Sequence, residues 1–313
     1  MKNISSVIIL VVQVLALGTI SMVFINRSPV LVVTDASFAA LYGIERVKLQ
    51  QVYSSLNLFR PVKNVELADG ISDDVLIITL QEKSVNPYCI IFHSSFSSAA
   101  EYYHREYPNN LLVLLGGRNP EDSLPQPDET LYIYASDTEL DLYRAGYFSG
   151  LLNIKDINIF RLAQILNVPD VQEKKIIGLT IDDSITDLMQ NTFSRGVDEI
   201  SGKAEIIYAA TSSDLPQYNL SSVVFAGSCD DFLDKPSNVP VILFSWLDPV
   251  FTSDNVIIVL DDSPWAQTIT AVKMAEQKQK KGRIPSKILI FPDRIADNGI
   301  FRKINEGLKK TFN

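Results

Sequence analysis

The sequence predicts an α/β fold built as two successive halves of mostly parallel sheet, preceded by an N-terminal transmembrane or signal helix. Three observations predict it. From Val30 onward, short apolar runs of strand length alternate with longer helical patterns. The alternation breaks at residues 154–172 and starts over at Ile176, which divides the chain into two series. Ahead of both, residues 3–26 form a run of 24 without a single charge, most of them apolar.

That first run is long enough to cross a bilayer, because about 20 apolar residues at about 1.5 Å rise each cover a hydrocarbon core of roughly 30 Å. Only Asn3, Ser5, Ser6, Gln13, Thr19, Ser21 and Asn26 interrupt it, and they form no polar stripe of the kind a core helix carries. Lys2 supplies the basic start of a signal sequence, and Ala16-Leu17-Gly18 has the small-x-small form of a cleavage site. The apolar run nevertheless continues through Ile20, Met22, Val23, Phe24 and Ile25, which favours an uncleaved anchor. No cysteine lies near it to be acylated. Residues 1–27 are therefore expected to be a signal peptide or signal anchor, membrane-inserted as a helix, that places the rest of the chain outside the cytoplasm, in a periplasmic setting.

The next elements follow in order. A strand is expected at 30–34 and a helix at 38–56, where Leu41, Ile44, Val47, Leu49 and Val52 recur near the 3.6 period. A second strand covers 62–67. Residues 72–83 are ambiguous, since Asp73-Asp74 suits a helix start while Val75-Leu76-Ile77-Ile78-Thr79 is β-prone; the need for a connection to the next parallel strand favours helix. A strand at 88–93, a capped helix at 95–107 ended by Pro108, a strand at 111–115 and a Pro-rich acidic loop at 118–129 come next. A strand at 131–135 and a helix at 138–153 complete the first series. The second has strands at 176–181, 204–209, 223–226, 239–244, 256–260 and 286–291, with helices at 185–200, 266–280 and 298–312. The expected division is a first lobe of 28–150 with a returning tail from about 285 to 313, and a second lobe of 151–284.

Composition excludes several functions. A net charge of −9 and a pI near 4.8 argue against nucleic acid, which requires a surplus of Lys and Arg. The basic stretch 273–283 reads as the solvated end of a helix. Only two histidines are present, His93 and His104, the latter in an aromatic, charged helix and expected half exposed; no Gly-x-Ser-x-Gly elbow, phosphate loop or dinucleotide-binding glycine motif occurs. The acid pairs Asp73-Asp74, Asp182-Asp183, Asp230-Asp231 and Asp261-Asp262 lack calcium-loop spacing. No catalytic residue, cofactor or metal is expected. Cys89 and Cys229, 140 residues apart without spaced His partners, make no zinc site; a disulfide and two buried free thiols are both compatible with their placement.

Ligands of open parallel sheets bind beyond the carboxyl ends of the strands. Those ends carry Asp35, Ser37 and Phe38, then Ser94, then Asp137 in the first series, and Asp182, Ser228, Trp246 and Asp248 in the second. If the halves face each other, the carboxylates and hydroxyls can hold ligand OH or NH groups and the aromatic rings can stack on a flat ligand. Each residue taken singly also suits a helix cap or turn.

Three segments resemble the basic membrane protein family of type I periplasmic solute-binding proteins, whose nucleoside-binding members serve ABC transporters. Asp35-Ala36-Ser37-Phe38 is similar to that family's Asp-x-Ser-Phe ligand loop. His104-Arg105-Glu106-Tyr107-Pro108 resembles its helix-to-strand step, and Ala145-Gly146-Tyr147-Phe148-Ser149-Gly150 its Ala-Gly-Tyr-x-x-Gly segment, in which two glycines four apart allow close helix packing. The family's lipoprotein cysteine, its loop asparagine and its late lysine have no counterpart here. The resemblance implies two Rossmann-like lobes joined by a hinge that close over a small-molecule ligand, nucleoside-like in that family, with an ABC permease as partner. A membrane-tethered sensor or interaction domain on the same fold, without transport, is the alternative.

Overall fold

A computed structural model describes residues 22–35, 38, 42–68, 71–116, 125–153, 176–183, 185–201, 204–215, 220–227, 239–244 and 254–291. They fall into two compact units: residues 1–134 with 268–282, and residues 135–267 with everything from 283 onward. The chain thus passes from one unit to the other three times, at 134/135, 267/268 and 282/283.

Unit 1 is built on strands β1 (Val30–Asp35), β2 (Val62–Leu67), β3 (Cys89–His93), β4 (Leu112–Leu115) and β5 (Leu131–Ser136), with β11 (Lys281–Ile284) at one edge. The spatial order is β11-β5-β4-β3-β1-β2, and β1 to β5 pair in parallel. Val30 to Val33 have no exposed surface, as β-branched and aliphatic runs require in a strand covered on both faces. The chain begins mid-sheet at β1, steps out to β2, and returns past β1 to β3 before moving outward again. The connections leaving β1 and β3 therefore diverge at the carboxyl ends of these two strands.

Helix α1 (Ile44–Leu58) joins β1 to β2, α2 (Asp73–Lys83) joins β2 to β3, and α3 (Ser97–Glu106) follows β3. The helical choice for α2 holds: Leu76 and Leu80, one turn apart, are buried against Leu31, Val65 and Leu67. The helix expected at 38–56 is interrupted at Gly43, whose φ of 95° lies outside the helical region: Phe38 and Tyr42 are helical before it, and α1 runs after it. It ends at Phe59, whose left-handed φ of 49° lets the Phe59 and Arg60 amides bond back to Leu56 and Ser55 at 3.3 and 3.2 Å. Its orientation also corrects the sequence reading. Val47, Gln50 and Ser54 face inward, while Ile44, Leu49 and Val52, expected in the core, are 63, 67 and 58 % exposed.

Unit 2 repeats the plan with β6 (Ile176–Thr180), β7 (Glu205–Ala209), β8 (Leu220–Phe225), β9 (Val241–Phe244), β10 (Val256–Asp261) and β12 (Lys287–Ile290), ordered β12-β10-β9-β8-β6-β7. All pairings are parallel except β10 with β12. Helix α4 (Thr138–Asn153) and helix α5 (Asp187–Ser201) pack on this sheet, and Leu142, Phe148, Phe193 and Val197 are buried with Leu179, Ile242 and Phe244 in one core. Close packing at the two glycines is present: a β-carbon on Gly146 would meet the Phe193 carbonyl, and one on Gly150 would stand 3.0 Å from the Val197 carbonyl oxygen. Gly196 of α5 answers from the other side against Tyr143. This contact groups α4 with unit 2.

The basic stretch differs from its expected form as well. Helix α6 (Pro264–Glu276) stops four residues early, Lys278 turns the chain with φ of 59°, and Lys281–Ile284 becomes β11. The Ile133 amide bonds the Lys280 carbonyl at 3.0 Å, the Lys280 ammonium bonds the Glu129 carbonyl at 2.6 Å, and its Nζ lies 4.1 Å from the Tyr132 ring centroid. The lysines thus decorate an edge strand. His104 is also more enclosed than its sequence context predicts: its side chain is 15 % exposed and paired with Asp128. Cys89 is a buried free thiol, and Cys229 lies outside the described residues.

The predicted N-terminal span lies outside the described residues except for its last turn, Met22 to Ile25, which is helical. Among the described residues no helix is long and apolar enough to cross a membrane. The chain is clamped as it enters β1: the Phe24 ring meets Phe59 at 5.9 Å, Arg27 bonds the Phe59 carbonyl at 3.2 Å, and Arg60 bonds the Ser28 carbonyl at 3.1 Å.

Candidate functional site

The divergence point of unit 1 brings three of the sequence-predicted residues together. Asp35 is the last residue of β1, and its carboxylate accepts the Phe38 amide at 3.0 Å, which folds the chain sharply at the strand end. The Phe38 ring stacks on Tyr42 with centroids 5.3 Å apart and planes 20° from parallel. The Arg46 guanidinium lies 5.2 Å from the Tyr42 ring, extending the stack by a cation. On the neighbouring strand, Val33 registers with Phe92, so the same alignment carries Asp35 level with Ser94. Ser94 opens a short 3-10 turn to Phe96 that leads into α3.

His93, at the end of β3, is the fourth member. Its Nδ1 accepts the Ser95 amide at 3.3 Å and sits 3.0 Å from the Ser95 hydroxyl. Burial lowers its pKa and the Asp35 charge opposes that shift, so the ring is neutral at pH 7. With Nδ1 accepting, the proton belongs on Nε2, a donor beside a carboxylate acceptor and an aromatic stack. The Ser95 hydroxyl does come within reach of a base. The same nitrogen takes the amide of that residue, however, and the contact spans two positions on one turn, which is a local turn closure.

Asp137 precedes α4, its carboxylate accepts the Leu140 amide at 3.3 Å as a helix cap does, and its own amide bonds the Ile284 carbonyl at 3.0 Å. Ser37 lies outside the described residues.

In unit 2 the equivalent divergence point is at β6 and β8. Asp182 is exposed just beyond β6, and its carbonyl accepts the Ile185 amide at 2.9 Å. Gly227, beyond β8, bonds the Thr180 carbonyl at 2.8 Å and lies so near that a β-carbon there would stand 2.5 Å from the Ile181 carbonyl carbon. Only glycine lets these two strand ends approach so closely. Ser228, Trp246 and Asp248 lie outside the described residues.

Sequence reasoning missed Tyr42 and undervalued His93. Tyr42 could have been found from its i+4 spacing to Phe38, which puts two rings on one helical face. Among the described residues no group of three or more His, Cys, Asp or Glu side chains converges as metal ligands would.

A scan against protein-family models finds no match to this chain, and no curated protein matches it in sequence. Solved structures do resemble it. A transcriptional activator of the comK gene from Bacillus halodurans is 13 % identical with a TM-score of 0.50, over 90 % of this chain and 95 % of that one. The likeness is one of fold. A solute-binding protein of an ABC transporter system from Aeropyrum pernix K1 is 11 % identical with a TM-score of 0.47, over 91 % and 80 % of the two chains. A periplasmic solute-binding protein from Actinobacillus succinogenes, solved with bound D-allose, is 10 % identical with a TM-score of 0.42, over 86 % and 99 %. None of these comparisons supports the finer resemblance to the basic membrane protein family or its nucleoside specificity.

Proposed function

We propose that this chain is an extracytoplasmic solute-binding protein, not an enzyme, held at the membrane by its N-terminal segment and delivering a small polar ligand to an ABC permease. The observation that carries the reading is the grouping at the carboxyl ends of β1 and β3. A carboxylate acceptor (Asp35), a neutral imidazole (His93), a hydroxyl (Ser94) and the half-buried Phe38 ring, backed by the buried Tyr42, lie at the divergence point of a parallel sheet. Such a set suits a polyhydroxylated ring, a sugar or a nucleoside: Asp35 accepts from ring hydroxyls, His93 donates to them, and the aromatic face covers the ring.

Thermal-shift measurements on the full chain in detergent, screened against sugars, nucleosides and amino acids, test this. Ligand at 100 times its Kd stabilises by about 2.7 kcal/mol, well within detection. Stabilisation by one class, lost in Asp35→Asn, supports the reading; no stabilisation by any class at millimolar concentration overturns it.

One observation favours the second reading, a membrane-tethered ligand sensor or interaction domain: α1 presents an apolar outer face that solute capture does not use. A ligand that stabilises the chain without any permease association in cross-linked membranes would favour it over transport.

A further inference from the structure

We infer that the outer face of α1 is the contact through which two copies of this chain pair. Leu49, Val52 and Leu56 are 67, 58 and 69 % exposed, and Phe59, which caps the helix, is 40 % exposed. Their spacing is three, four and three residues, the seam that two facing helices interdigitate. The same helix turns Gln50 and Ser54 inward, so its polarity is reversed relative to an ordinary surface helix, which keeps its charged face outward.

The surroundings favour a helix of a second copy over other occupants. Strand β2, the sheet edge flanked by α1 and α2, exposes Lys63 and Glu66, charges that block strand-to-strand pairing. A standard interface needs about 800 Å² per partner, and the exposed parts of Ile44, Leu49, Val52, Tyr53, Leu56 and Phe59 on α1 supply an area of that order. The seam between Leu49 and Phe59 contains no charged residue, so an isologous pairing buries no like charges. Glu45 and Lys48, at its amino end, pair with each other at 2.8 Å, and Arg46 between them lies 5.2 Å from the Tyr42 ring centroid. Beyond the seam, Phe24 on Phe59 brings the N-terminal segment to the same end of α1, so two tethered copies would meet with their anchors together.

The pairing does not rest on the solute-binding reading, and its test is separate. Full-length chain in detergent is run by sedimentation velocity across a range of concentrations, and Val52→Cys is treated with a bifunctional maleimide. With Val52→Cys made in a Cys229→Ser background, the expected results are a concentration-dependent dimer and a cross-linked dimer from that variant but not from the background alone, whose remaining Cys89 is buried. The double variant Leu49→Glu with Leu56→Glu should weaken dimerisation at least ~30-fold, as losing one interface hot spot does, with an unchanged thermal midpoint of the monomer. A monomer at all concentrations, a dimer unaffected by the double variant, or a monomer whose binding to anionic liposomes is lost in that variant would each overturn the proposal.

Discussion

A β-carbon added at Gly146 would collide with the carbonyl oxygen of Phe193, so helices α4 and α5 touch backbone against backbone. Nothing flexible stands between them to give way. Gly146→Ala must therefore push the helices apart within a core that includes Leu142, Phe148 and Val197, and overpacking of this kind costs about 1–3 kcal/mol or more. At Gly150 the corresponding clearance is 3.0 Å to the Val197 carbonyl oxygen, which a small shift relieves. Urea denaturation should show Gly146→Ala clearly destabilised and Gly150→Ala much less so. Equal losses would mean that the helices can slide and that the contact at Gly146 is not fixed.

Asp141 is buried beside Arg144 and Ser286. Its carboxylate takes the Ser286 amide at 3.0 Å on each oxygen, the Ser286 hydroxyl at 2.5 Å and Arg144 at 3.3 Å. Burial is the largest influence and pushes its pKa up to about 7 despite those donors. A carboxyl whose pKa is raised on folding binds its proton more tightly in the native state. Its contribution is therefore present below about pH 4 and is lost as pH rises toward 7. Stability should fall across that window by an amount on the order of 4 kcal/mol, read as a falling denaturation midpoint. Asp141→Asn should flatten that limb; an equally steep slope in the variant would rule out Asp141 as its source.

Much of this arrangement was legible in the sequence, and the misses have physical causes. Strands such as β1, β4 and β9 sit in sheets covered on both faces, so they read as unbroken apolar runs. The glycine pair of α4 was legible for a similar reason, since only backbone approach calls for two glycines four apart. In α1 the apolar recurrence Leu41, Ile44, Val47, Leu49 and Val52 does not mark one buried face: Val47 is buried with Gln50 and Ser54, while Ile44, Leu49 and Val52 are exposed. Hydrophobic spacing gives a face but not its direction when a second apolar stripe exists. Which unit α4 joins depends on which sheet it packs against, a long-range choice without a local signal. Strand β11 was hidden in a lysine-rich stretch whose extended form comes from pairing with β5.

Asp128 shows the opposite pH behaviour. Burial alone would raise its pKa, but hydrogen bonds with His104 at 2.6 Å and from the Thr130 and Leu131 amides at 2.8 Å together bring it down to about 2. Its stabilisation is present above about pH 4 and is lost as pH falls toward 2. The side chain is 52 % exposed, so solvent screening limits the effect to about 1 kcal/mol. Asp128→Asn should lower stability by that amount at pH 7 and leave it nearly unchanged at pH 2. A larger loss at pH 2 than at pH 7 would show that the residue acts by packing.

Gly227 links the strand ends of unit 2 to their proposed chemistry. Its amide bonds the Thr180 carbonyl at 2.8 Å, and a β-carbon there would stand 2.5 Å from the Ile181 carbonyl carbon and 2.9 Å from the Asp182 amide nitrogen. Gly227→Ala must displace the backbone that carries Asp182. Asp182 is exposed, so moving it breaks little packing and the stability cost should stay near the lower end of about 1–3 kcal/mol. If Asp182 contributes to solute capture, ligand stabilisation in thermal-shift experiments should fall more than the midpoint of the unliganded protein does, and Asp182→Asn should reproduce the ligand effect without the stability loss. Unchanged ligand stabilisation in both variants would remove Asp182 from the binding set and leave the carboxyl ends of β1 and β3 as the place where the solute is held.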